Sequence, residues 1–207
     1  MQAQNSKLAI GLEMGPGGVF YRANRSWQPP TQFCKSAALN FMYRFNDFLA
    51  LRGGVEYLQF TRRWQNSVYP GSGLFFGPIA YREFRETIRT PILLRCNFGP
   101  SRRLFFHAGF FVEADVNFRA TYIYDNGKES VIKSKPDQIR PMGGMAIGIG
   151  GVFPISHRFV ITSEVRASPY VQFGEFYNYP DISGRGTGTT QLFVGLTYQI
   201  KPKASGE

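Results

Sequence analysis

Cysteine, histidine and tryptophan occur only twice each in these 207 residues. Two cysteines make neither a disulfide framework nor a zinc cluster. Charged residues are also scarce, at 18%, which excludes a disordered chain and argues against a coiled coil or helical bundle built on Ala, Leu, Glu and Lys. No window holds the roughly 18 uninterrupted apolar residues of a membrane-crossing helix. The longest candidate, Met145 to Ile155, is broken by glycines and Pro154. The opening Met1-Gln2-Ala3-Gln4-Asn5 has no charged stretch followed by an apolar one, so any secretory leader is expected to be missing already.

What the chain does have is 20 Phe, 11 Tyr, 23 Gly and 13 Pro, a mixture that suggests many strands. The periodicity is two almost everywhere. From Leu104 to Tyr122 the even positions are apolar, while the odd positions include His107, Glu113, Asp115, Asn117 and Arg119. The same alternation recurs in seven further segments, beginning near Leu8, Ala37, Leu49, Ile88, Met145, Phe159 and Leu192. Connections alternate in length. Those at Asn46-Asp47, Gly99 to Arg103 and Pro154 to Arg158 are tight and rich in turn residues. Those at about Gly15 to Thr31, Arg63 to Arg82, Ile123 to Arg140 and Pro169 to Thr187 are long and fall at one end. This predicts an all-β chain: an eight-stranded antiparallel up-and-down transmembrane β-barrel, one domain over 1–207, with the barrel at about 7–200 and a polar tail at 201–207.

The faces decide between a soluble barrel and a membrane barrel, since the two have opposite polarity. Several segments keep their alternation over the roughly 9 to 11 residues that a tilted strand needs to cross hydrocarbon. Their polar face carries Glu13, Arg44, Arg52, Glu56, Arg89, Arg95, Glu113, Asp115, Arg119, Glu164 and Arg166 among small residues. That composition suits a narrow lumen filled by mutually neutralising charges, so these residues are the predicted interior ion-pair network. The glycines of Gly143 to Gly151 then read as relief for bulky arginines opposite, not as a phosphate loop, because no helix and no Gly-Lys-Ser/Thr follows. Aromatics gather in two bands. One includes Phe45, Phe48, Phe98, Phe105, Phe106, Phe153 and Phe159; the other includes Tyr57, Phe60, Trp64, Tyr81, Phe84, Phe118, Tyr122 and Tyr170. Two such bands read as interfacial girdles.

On these residues the chain resembles the small outer-membrane β-barrels of OmpA or OmpX size, and within them the PorT-like outer-membrane β-barrel family. The stretch Glu86-Thr87-Ile88-Arg89-Thr90-Pro91-Ile92-Leu93-Leu94-Arg95 and the following Phe106-His107-Ala108-Gly109-Phe110 carry the family resemblance. It implies a Gram-negative cell outer membrane, periplasmic termini and short turns, long extracellular loops, and a non-enzymatic role as a structural, adhesive or secretion-complex component. The chain departs from many such barrels at its end, where Tyr198 is followed by Gln199-Ile200-Lys201 and a tail, not by a terminal aromatic.

The alternative is an outer-leaflet lipid A modifying enzyme, which needs a base near the long loops. Both histidines, His107 and His157, lie at the short-turn end, and Glu113 with Asp115 reads as part of the ion-pair network. No catalytic residue, metal site or cofactor is therefore expected, and Phe111 with the interior charges should close the lumen to solutes. Cys34 and Cys96 sit at opposite ends of the barrel, too far apart to bond. The long loops carry excess positive charge within a net +10 chain, which favours an anionic neighbour. Arg22, Trp27, Arg63, Trp64, Tyr81 and Arg82 are the candidate contacts to lipopolysaccharide or to other outer-membrane or secretion-complex proteins; nucleic acid is not an expected partner.

Overall fold

A computed structural model describes residues 7–20, 32–65, 80–124, 126–133, 141–170 and 188–200. These form nine strands: β1 (Leu8–Phe20), β2 (Gln32–Arg44), β3 (Leu49–Gln65), β4 (Ala80–Phe98), β5 (Leu104–Ile123), β6 (Glu129–Lys133), β7 (Met142–Pro154), β8 (Phe159–Pro169) and β9 (Gly188–Ile200). All but β6 join in one antiparallel ring, β1-β2-β3-β4-β5-β7-β8-β9, closed where β9 returns to β1. Closure matters because a spanning sheet must leave no unpaired edge in hydrocarbon.

Local chemistry makes the turns. Asn46 accepts bonds through Oδ1 from the backbone N–H of Phe48 (2.9 Å) and Leu49 (2.8 Å), and Ser156 Oγ accepts from Arg158 and Phe159 in the same manner. Between β4 and β5, Gly99 takes φ 76° and starts a short 3₁₀ turn, Pro100–Arg102. Arg102 reaches across to Asp47 at 2.5 Å, joining neighbouring turns.

The alternation places its apolar positions outside. Phe110 and Val112 are 65% and 57% exposed, while their neighbours Phe111 and Glu113 are buried. The same holds for Leu8, Leu12, Leu39, Phe41, Val55, Ile92, Ile147, Val165 and Val194, all exposed. An apolar exterior around a polar interior is the polarity of a membrane barrel.

Three expectations change. A bulge at Val116 inserts one residue into β5, because Thr87 pairs with Asp115 and Glu86 with Asn117. Beyond it the faces swap: Phe118 and Ala120 turn inward, and Arg119, expected in the interior network, is exposed on the outside. The connection after Ile123 is not simply a loop, since β6 folds back within it and pairs with β5 from Ile123↔Glu129 to Arg119↔Lys133. The two girdles also thin. Phe105 and Phe60 are buried in the interior, leaving Phe45, Phe48, Phe98, Phe106, Phe153 and Phe159 exposed around the short-turn rim.

Strand lengths are unequal. β3, β4 and β5 have 17, 19 and 20 residues, against 11 to 13 in β1, β2, β7, β8 and β9. At about 3.3 Å per residue, a wall made by these strands and β6 extends beyond the ends of the other described strands.

Candidate functional site

Two regions carry the chain's chemistry: the lumen and the outward face of the tall wall. In a ring of eight, β3 lies opposite β8 and β4 opposite β9. Side chains bridge both diameters. Arg52 on β3 donates from Nη1 to Glu164 Oε2 on β8 and from Nη2 to Glu13 Oε2 on β1, each at 2.5 Å. Arg166 on β8 donates Nε to Glu164 Oε1 at 2.6 Å and Nη1 to Glu56 on β3. The result is an alternating chain, Glu13–Arg52–Glu164–Arg166–Glu56, in which each arginine has two acidic partners. Thr162 adds a bond to Glu13, and His107 stands 3.5 Å from Glu164.

On the second diameter, Arg89 of β4 pairs with Glu113 through Nε (2.9 Å) and Nη2 (2.8 Å). Its Nη1 donates to Thr189 (3.3 Å) and Gln191 (3.2 Å) on β9. The guanidinium lies 4.2 Å from the Phe111 ring centre, so an aromatic plate closes one side of the bridge. Arg166 similarly covers Phe193 at 4.6 Å. Desolvating charges is costly unless they are paired, and Arg52, Arg89 and Arg166, the three arginines of these bridges, each have an acidic partner.

Asp115 accepts a bond from Thr87 (2.8 Å) and lies 3.8 Å from Arg85. Arg85 also pairs with Glu83 at 2.6 Å, and the Tyr81 hydroxyl donates to Glu83. Glu83 and Arg85 were absent from the expected network. They continue the odd-numbered polar series of Thr87 and Arg89, so their parity was the available signal. Towards the short turns, Arg95 donates to Asn97 (2.9 Å) and stacks 3.7 Å over Phe105, without joining the acidic chain. Arg44 lies half-buried and pairs with no carboxylate among the described residues.

The inward glycines of β7 accommodate rings, not the expected arginines. A Cβ on Gly144 would lie 2.3 Å from Phe111, one on Gly148 2.3 Å from His107, and one on Gly150 2.4 Å from Phe105. The three crowding side chains all come from β5, the neighbouring strand.

The expected loop contacts divide. Arg22 and Trp27 lie outside the described residues. Arg63 and Trp64 pair through the backbone with Arg82 and Tyr81. Arg82 is exposed on the outer face of the wall, whereas Tyr81 turns towards Glu83 and packs against the Tyr122 ring at 5.0 Å. Cys34 and Cys96 are both free. Among the described residues no group of His, Cys, Asp and Glu is placed to hold a metal ion.

No family model and no curated protein sequence matches this chain. Solved structures do. Neisserial surface protein A is 12% identical over 94% of this chain and 98% of its own, with a TM-score of 0.51. Ail, an outer membrane protein of Yersinia pestis, is 12% identical over 95% of this chain and 100% of its own, also with a TM-score of 0.51. At such identity the likeness concerns architecture, and the architecture is that of a small outer-membrane β-barrel.

Proposed function

We propose that this chain is a non-enzymatic outer-membrane barrel of a Gram-negative cell, closed to solutes, working through its long-loop end as a structural, adhesive or secretion-complex component. The observation that carries this reading is the double bridge across the lumen, Arg52–Glu164 on one diameter and Arg89–Thr189/Gln191 on the other. Phe105, Phe111 and Phe193 fill space beside those bridges. Side chains that span and fill an eight-stranded lumen leave little room for a solute. The tall wall extends the long-loop end, where a binding surface gains reach without opening the barrel. We place that end outside the cell, with termini and short turns in the periplasm, and retain the PorT-like grouping on the Glu86–Arg95 stretch.

Both histidines support a non-catalytic role by position. His107 is buried beside Glu164, and His157 lies in an exposed turn at the short-turn end. Two measurements test the reading together. Purified, folded barrel in a planar bilayer should give no steady large channels, and a deletion strain should keep its lipid A acylation pattern. Steady large conductance would overturn the closed lumen. A changed lipid A pattern, restored by the intact protein but not by variants of loop-end acids or serines, would establish the enzyme alternative.

A further inference from the structure

The bulge at Val116 has a chemical result. By rotating β5 above that point, it moves Arg119 from the lumen to the outside of the wall, directly across from Phe84 on β4 and Lys133 on β6. Arg82 lies on the same outward face, two residues beyond Phe84 on β4. All three cations are exposed, and none forms an ion pair with an acid among the described residues.

Their arrangement is unfavourable in isolation. Arg119 and Lys133 are directly opposed across antiparallel strands, and Arg82 lies one row higher on β4. Like charges at about 5 Å between Cβ atoms repel, and no acid separates Arg119 from Lys133. The nearest acid on this face, Glu86, accepts bonds from Tyr57 and from Asn117 (2.8 Å), a row closer to the apolar band. An opposed cation pair with a third cation in the next row is the pattern expected where an anion bearing more than one negative group supplies the missing counter-charge.

Height selects the class of anion. On β5 the outward apolar series ends at Val116, which is 52% exposed, just below the face swap, while on β6 Val131 stays exposed one row above Arg119. Arg119 follows Val116 by three residues, roughly 10 Å along the strand at about 3.3 Å per residue, and less once strand tilt is included. If the aliphatic band below Val116 marks the hydrocarbon, that level falls among the lipid headgroups. Phe84, half-buried between Thr61 and Arg119 in the ladder, offers an apolar step from the chains to the charges.

We propose that Arg82, Arg119 and Lys133 form a surface site for the phosphate groups of a multiply phosphorylated glycolipid in the surrounding outer leaflet. Arginine pairs bidentately with phosphate, and lysine adds a point charge. Three clustered cations match a headgroup with two phosphates better than a phospholipid with one. The site rests on the outer-membrane reading given above and specifies the lipid that such a barrel would hold.

Native mass spectrometry of the full chain, folded in detergent, tests the site with three probes: bisphosphorylated lipid A, its dephosphorylated form and phosphatidylglycerol. Retention of bisphosphorylated lipid A is expected at about tenfold lower concentration than either other probe, and R82Q/R119Q/K133Q should lose about tenfold, or roughly one decade in Kd. R103Q/R158Q, which removes two exposed cations at the opposite rim, should leave retention within about twofold. Equal retention by the triple variant overturns the site. Equal retention of dephosphorylated lipid overturns phosphate recognition, and equal retention of phosphatidylglycerol overturns the glycolipid assignment. The probe comparison uses unaltered protein, so it stands even if the triple variant fails to fold. A separate readout, heat-modifiable migration and insertion into bilayers, reports on the outer-membrane reading: a protein that inserts but ignores lipid A defeats only the site, whereas one that never inserts defeats the reading beneath it.

Discussion

Arg166 is the residue on which the lumen most depends, since its fully buried guanidinium serves Glu56 and Glu164 together. Replacing it by Met keeps much of the volume but leaves two buried carboxylates short of a partner. Breaking a buried pair from one side costs about 3–5 kcal/mol. R166M should therefore unfold at lower urea, and adding E56Q should recover part of the loss; an R166M midpoint equal to that of the unaltered protein would show the bridge to be ornamental. Gly148 offers a steric test. A valine there places Cβ 2.3 Å from His107 Nε2 and 3.0 Å from the Val165 carbonyl oxygen. Overpacking of this kind costs about 1–3 kcal/mol, so G148V should lower the temperature at which the folded band converts on heated gels. If H107A restores that temperature, the clash is located.

Elements were legible in the sequence wherever a period of two ran unbroken. β1, β2, β8 and β9 present the predicted apolar residues outward because a barrel strand has no other way to satisfy both lipid and lumen. The bulge was not legible. After Val116 the even positions Phe118, Ala120 and Tyr122 are still apolar, so the pattern continues while the face beneath it changes. Only pairing reveals the swap, through Glu86↔Asn117 and through Arg85 lying 5.4 Å from the Phe118 ring. The neutralisation inside was partly readable: acids and arginines of matching parity were visible, but which arginine spans which diameter depends on ring order, and that is a property of the closed sheet. Cysteine accessibility checks the swap. In a C34A/C96S background, Arg119→Cys should react quickly with a membrane-impermeant maleimide on the folded barrel, and Phe118→Cys slowly. The reverse order would place the bulge elsewhere or remove it.

For the whole molecule, the seam between β1 and β9 has a kinetic meaning. Seven of the eight ring contacts join strands that follow one another closely in the chain, whereas the seam sets Leu8 against Ile200. The entropy cost of closing a loop grows with the logarithm of its length, and long-range pairing slows folding. Hairpins such as β2–β3 and β7–β8 are thus expected to gain amide protection early in pulsed hydrogen exchange during refolding, and the β1–β9 amides last; simultaneous protection would mean closure precedes hairpin formation. Until its last strand has docked, the chain holds two open edges and an ion-pair chain missing one wall. It is then a sticky, water-exposed sheet, and its survival depends on whatever escorts it until the ends meet.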